Sequence, residues 1–129
     1  MKFIAYAALG GAIGASGRYL VGILAVRLLG IGFPYGTFIV NIVGALLMGV
    51  LIEALALRFQ GSSELRTLLA TGVLGGFTTF SAFSLEVANM IERDQWYAAM
   101  FYACASVIFS VAALFAGLYL GRYLWGASV

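Results

Sequence analysis

The chain has 129 residues, of which 64% are hydrophobic and 9% charged, with a mean hydropathy of +1.06 and a formal net charge of +2. Soluble domains run about 45–50% apolar and about 25% charged, and a 13.7 kDa globule has too much surface to leave so little of it charged. A soluble enzyme, a nucleic-acid binder and a disordered tail are excluded; the chain reads as an integral membrane protein. It has no His, and its single Cys, Cys104, lies in an apolar run, which removes Cys/His metal sites, disulfide frameworks and His-based triads. No Lys/Arg run exists to hold nucleic acid or an anionic surface.

The charges punctuate the sequence and map its spans. Residues 3–17, 28–52, 67–85 and 95–121 are free of charge, and a bilayer-spanning helix needs about 20 mostly apolar residues. Helices are therefore predicted at about 3–27, 36–58, 66–92 and 96–123, in one transmembrane domain covering 1–129. The first reaches full length only with Arg18 inside it. It has no small-residue cleavage site, so it reads as a retained helix. The first connection, Gly30 to Gly36, is turn-rich and holds the one proline, Pro34. The second, Arg58 to Glu64, is polar and contains Gly61. The third, Glu92 to Gln95, is short enough to make the flanking helices antiparallel neighbours. Trp96, Tyr97, Tyr123 and Trp125 fall at predicted ends, where interfacial aromatics belong.

Orientation is weakly specified. Lys2, Arg58, Arg66 and Arg122 share one side; Arg27 and Arg93 are on the other, with Arg18 nearby. Two readings stand: one orientation with a slight positive-inside bias, or insertion both ways with antiparallel self-pairing. Four helices enclose little beyond their own side chains, which favours a homodimer as the working unit.

Polar groups enter each span. In helix one, Gly10 and Gly14 make a small-xxx-small packing face. Arg18 is either a functional charge in an aqueous vestibule or an arginine reaching for the interface. In helix two, Thr37 and Asn41 are four apart and share a face; the Asn41 amide either bonds a neighbouring helix or donates to an anion. In helix three, Gly75-Gly76 precedes the β-branched pair Thr78-Thr79 and the serines Ser81 and Ser84, a poor continuous helix. Broken backbone at membrane depth persists where it is buried in protein or lines water, and it frees carbonyls for cations and N–H groups for anions. A kinked packing helix is the alternative. Phe80 and Phe83, three apart beside that break, present ring edges that attract a small anion weakly. In helix four, Tyr102, Ser106 and Ser110 form one hydroxyl stripe. Glu86 is an acid well inside the third span, whereas Glu53 is near the end of the second.

No nucleophile with a base, phosphate-cradling loop or metal cluster is apparent, so the chain does not read as an enzyme. An inventory of amide, hydroxyls, ring edges and one arginine suits an anion held by many weak donors, and conduction needs such a balance of entry and exit. The series Gly10-Gly11, Gly14, Arg18-Tyr19, then Gly36-Thr37-Phe38, Asn41, Gly44, then Gly75-Gly76-Phe77-Thr78-Thr79-Phe80-Ser81-Ala82-Phe83-Ser84 and Glu86 resembles the Fluc (CrcB-type) fluoride channels over essentially the whole chain. The third motif is the specific one.

The resemblance implies an all-α, antiparallel, dual-topology homodimer in the microbial inner or plasma membrane, with two parallel pores exporting fluoride passively. Its partners would be fluoride, a second copy and the lipid bilayer, with no nucleic acid. By the same resemblance Phe80 and Phe83 line the pore, Asn41 is the pore amide, and Arg18 is the vestibule base. Tyr102, Ser106 and Ser110 form the hydroxyl track, with Thr37, Ser81 and Ser84 beside the pore and Glu86 taking part in fluoride movement. A structural Na⁺ would be held by the carbonyls of Gly75 and Thr78. Ala82 stands where many relatives carry Thr, so one hydroxyl is missing. The competing reading is a small multidrug-type proton-coupled cation exporter, which shares size and topology but needs a membrane-embedded acid in helix one; Arg18 is there instead.

Overall fold

The computed structural model describes residues 1–57 and 62–126. Among these it is all helical: α1 (Lys2–Leu29), α2 (Tyr35–Leu57), α3 (Ser63–Arg66), a π-helical segment (Thr67–Leu74), α4 (Gly75–Phe77), α5 (Ser81–Glu92) and α6 (Trp96–Trp125). Lys2–Leu29, Tyr35–Leu57, Ser63–Glu92 and Trp96–Trp125 are each long and apolar enough to span a bilayer. The expected four spans are present, with the third broken into pieces. Arg58 and Gly61 lie outside the described residues.

The first span overruns its expected end at residue 27 because nothing breaks the helix before Gly30. That glycine adopts φ +86°, a left-handed conformation without penalty for a residue lacking Cβ, while its N–H still bonds the Val26 carbonyl at 3.0 Å. The third connection is tighter than its composition suggests. Asp94 takes φ 60°, its N–H bonds Ile91 O at 3.0 Å, and Gln95 N–H bonds Met90 O at 2.8 Å. These paired bonds are a Schellman stop, with Asp where Gly is usual, and they turn the chain directly into α6.

Close backbone approach organises the packing. A Cβ on Gly14 would run into the Val73 carbonyl, and one on Gly10 would lie 2.8 Å from the Gly72 Cα, so α1 sits directly against the π-helical segment. The small-xxx-small face of α1 is thus a packing face. A second such contact joins α2 and α6, where a Cβ on Gly117 would come within 3.0 Å of the Gly49 Cα. Lys2 pairs with Glu64 at 3.6 Å. The start of α1 and the start of the third span therefore share one end, as the alternation of four spans requires.

The third span breaks inside the stretch expected to be a poor continuous helix. Gly75-Gly76 remain helical; the chain leaves the helix at Thr78, with φ −88° and ψ 161°, and resumes at Ser81. The glycines serve contact instead: a Cβ on Gly76 would lie 2.7 Å from the Gly11 carbonyl of α1. Propensity located the weak stretch, and the packing partner selected which part of it opens. The π-helical turn just before it was not anticipated; such turns widen the helix by one residue per hydrogen-bonded ring and often lie near functional sites.

Candidate functional site: a broken span between two cavities

The break is held open by specific hydrogen bonds. The Thr79 N–H donates to Asn41 Oδ1 at 2.8 Å, and Asn41 Nδ2 donates to the Thr79 carbonyl at 3.0 Å. One amide side chain on α2 thus takes both backbone groups of a residue that has left the helix, and the Thr79 donor fixes which end of the amide is oxygen. Of its two readings, Asn41 therefore makes the neighbouring-segment bond. The Thr79 hydroxyl accepts from the Ala82 N–H at 3.1 Å, capping the first turn of α5, and lies 3.3 Å from Ser81 Oγ. Arg18 Nε donates to the Gly76 carbonyl at 3.1 Å, filling an acceptor at the end of α4 where intrahelical donors run out.

These bonds have a consequence for two carbonyls. In a continuous helix the N–H groups of Thr79 and Ala82 would bond the carbonyls of Gly75 and Thr78. Here they bond Asn41 Oδ1 and Thr79 Oγ1 instead. The two oxygens expected to face a cation are thereby released from their helical donors, and that donor set fits Na⁺. Thr78 Oγ1, by contrast, is turned back onto the Leu74 carbonyl at 3.0 Å.

Two cavities meet at the break. One, of about 410 Å³, is lined by Asn41, Thr78, Thr79, Phe80, Phe83, Ser106 and Ser110 together with apolar residues of α2 and α6, and no charged side chain lines it among the described residues. The other, of about 510 Å³, is lined by Arg18, Tyr19, Arg27, Gly36, Thr37, Thr79 and Ala82, among others. Thr79 belongs to both. The Phe80 and Phe83 rings pack with centroids 5.7 Å apart, and Phe80 is 78% exposed, so the first cavity is open to the outside of a single chain.

Next to the break, Glu86 accepts hydrogen bonds from Thr37 Oγ1 at 2.8 Å and from the Tyr102 hydroxyl at 2.7 Å. Tyr102 is fully buried between α5 and the α1–α2 connection. Ser106, one turn along α6, is 6% exposed, and its hydroxyl has no hydrogen-bond partner among the described residues. The stripe on α6 therefore splits its contacts: Tyr102 engages Glu86, while Ser106 and Ser110 face the uncharged cavity.

Most residues singled out in the sequence converge here. Ser81 and Ser84 do not: both are exposed on α5 and line neither cavity of the single chain. Sequence reading missed the central position of Thr79; with Ala at position 82 the capping box is incomplete and gives no signal. Arg27 was also missed as a cavity-lining residue; its spacing of nine from Arg18 placed it further along the same helix.

Comparisons with known proteins identify the family. The family model described as CrcB-like protein, Camphor Resistance (CrcB), matches residues 5–118. Relatives called fluoride-specific ion channel FluC include one from Agrobacterium fabrum, 54% identical over 95% of this chain and 98% of the relative. Another, from Caulobacter sp. strain K31, is 58% identical over 92% of this chain and 93% of the relative. A third, from Allorhizobium ampelinum, is 50% identical over 97% and 100%. With four membrane-spanning helices and these relatives, the protein is a multi-pass cell-membrane protein of an ion-channel family rather than an enzyme, and the chain belongs to the CrcB-like protein family.

Proposed function

We propose that the chain is a fluoride-selective channel through which cytoplasmic fluoride leaves passively, by two pores formed where two antiparallel copies meet. The observation that carries this reading is the uncharged cavity at the break, where an amide, hydroxyls and two phenyl rings converge without a cation strong enough to trap an anion. Arg18 and Arg27 line the adjoining cavity, where their field raises the local anion concentration. Thr79, common to both, marks the passage from attraction to weak binding.

Fluoride is small and strongly hydrated, so its water must be replaced stepwise by donors. Ring edges of Phe80 and Phe83, the hydroxyls of Ser106 and Ser110, and the second N–H of Asn41 supply a sequence of such donors. Ser106, buried and unpartnered, is the strongest candidate. Thr37 and Tyr102 are also donors, now directed at Glu86; displacement of that carboxylate turns both hydroxyls to the anion. Ala82 lines the arginine cavity without a hydroxyl, which leaves Tyr19, Thr37 and Thr79 as the hydroxyl residues on that side.

The exposure of Phe80 beside a cavity that one chain leaves open supports a dimer. A second copy inserted in the opposite sense closes it, in keeping with the small charge bias between the two ends. Ser81 and Ser84, exposed on α5, then face that copy. The Gly75 and Thr78 carbonyls would hold Na⁺, which would supply a fixed positive charge at the break.

The test is reconstitution. Liposomes loaded with potassium fluoride and carrying the protein release fluoride to an ion-selective electrode once valinomycin provides a potassium path. Release equal to that from protein-free liposomes overturns the reading. Cross-linking in native membranes that yields monomers alone overturns the dimer.

A further inference from the structure

We propose that Phe33, in the connection between α1 and α2, is a positioning residue that aims the Tyr102 hydroxyl at Glu86 and so sets the state of the polar path from one face of the membrane. The proposal rests on the fluoride-channel reading above. The Tyr102 ring is fully buried, with the Phe33 ring edge-on against it at 5.2 Å and 83° and the Phe83 ring against it at 5.2 Å and 52°. Phe83 is itself a lining residue of the uncharged cavity. Tyr102 is thus packed by a ring of the cavity wall, a ring of the loop and, further off at 6.3 Å and 46°, the Phe38 ring of α2.

The loop ring is held as firmly as the helical ones. Phe33 packs against Phe38 at 5.6 Å and 80°, Tyr35 at 5.0 Å and Phe101 at 6.3 Å. Its backbone lies between Gly30, at φ +86°, and Pro34, and its carbonyl accepts the Tyr35 N–H at 2.8 Å. A phenol hydroxyl lies at the far tip of a rigid ring, so its position is set by ring rotation and tilt alone. Edge-to-face pairs are sensitive to ring orientation in a way that an aliphatic neighbour of similar size is not. Loss of the Phe33 edge lets the Tyr102 ring tilt, and its hydroxyl moves off the Glu86 oxygen it meets at 2.7 Å.

The experiment is a double-mutant cycle on fluoride efflux from liposomes, with Phe33→Leu, Tyr102→Phe and the pair, each checked for a single dimeric elution peak. Phe33→Leu slows efflux about two- to tenfold, the range that orientation-specific ring pairs support. In the Tyr102→Phe background, where the hydroxyl is gone, the same change adds nothing. A loss that multiplies onto Tyr102→Phe, or no loss from Phe33→Leu alone, overturns the positioning role. Absence of efflux from wild-type liposomes overturns the channel reading itself, so the two failures are distinct. If Phe33→Leu does not elute as one species, Phe33→Met takes its place in the same cycle with the same criteria.

Discussion

Replacing Asn41 by Leu removes a donor and an acceptor in one change that keeps the branched shape. It strands the Thr79 N–H and carbonyl at the point where the third span leaves the helix. Interhelical hydrogen bonds in membrane proteins average about 0.6 kcal/mol and reach about 1.7, so the pair is worth about 1–3 kcal/mol. Leaving fully buried groups unsatisfied costs more, about 1–3 kcal/mol each. Here both bonds are part-buried and Asn41 lines a cavity, which favours the lower range. Asn41→Leu is therefore expected to lower stability in detergent-unfolding titrations by about 1–3 kcal/mol. Because about 1.4 kcal/mol is a factor of ten, fluoride efflux should fall at least several-fold as the break loses its geometry. Asn41→Asp separates the two effects. It keeps the acceptor for the Thr79 N–H, loses the donor to the carbonyl, and adds a carboxylate beside the anion path. It should unfold closer to wild type than Asn41→Leu while conducting no better. Wild-type stability and wild-type efflux in Asn41→Leu would refute the role of this amide in holding the break.

Phe80→Ile and Phe83→Ile should each cripple fluoride efflux while the dimer still elutes intact; unchanged flux in both would remove the ring-edge mechanism. Gly14→Ala pushes a methyl group into the Val73 carbonyl, a backbone atom that cannot give way, and should cost about 1–3 kcal/mol in unfolding titrations. Gly11→Ala meets nothing within 4 Å and should raise stability slightly, by up to about 1 kcal/mol, through relief of the glycine penalty in a helix. Replacing Na⁺ throughout by N-methylglucamine should slow efflux reversibly if the Gly75 and Thr78 carbonyls hold the ion; flux indifferent to prolonged Na⁺ removal, measured with the same electrode, would deny it that role.

Much of this fold was legible because charge is scarce. With so few charged residues, the gaps between them mark the spans directly, and the turn at Gly30 to Gly36 carries its own glycine and proline punctuation. The hydroxyl stripe on α6 and the Thr37–Asn41 pair were legible from helical spacing alone, since residues four apart share a face whatever lies opposite. What lay opposite was not legible. Asn41 meets Thr79 and Thr37 meets Glu86 across different spans, and only the packing of α2 against the third span brings them together. The location of the break behaved in the same way. Propensity marked the stretch from Gly75 to Ser84 as weak; within it Gly76 is used for contact with α1, and the opening falls where Asn41 is available to satisfy the released backbone. The π-helical turn leaves no propensity signal; it lies where Gly72 fits closely against Gly10 of α1. Phe33 sits in the turn-rich connection with nothing in its local sequence to mark it; its four ring partners come from α2 and α6.

The central claim is that an uncharged, donor-lined break conducts fluoride and rejects larger anions without proton coupling. The most direct measurement follows fluoride and chloride together, with two electrodes, from one population of liposomes containing both ions, under a potassium gradient with valinomycin and equal pH on both sides. The account predicts rapid loss of fluoride while chloride stays inside at the rate of protein-free liposomes. Chloride leaving in step with fluoride, or fluoride moving only when a pH gradient is imposed, would contradict it.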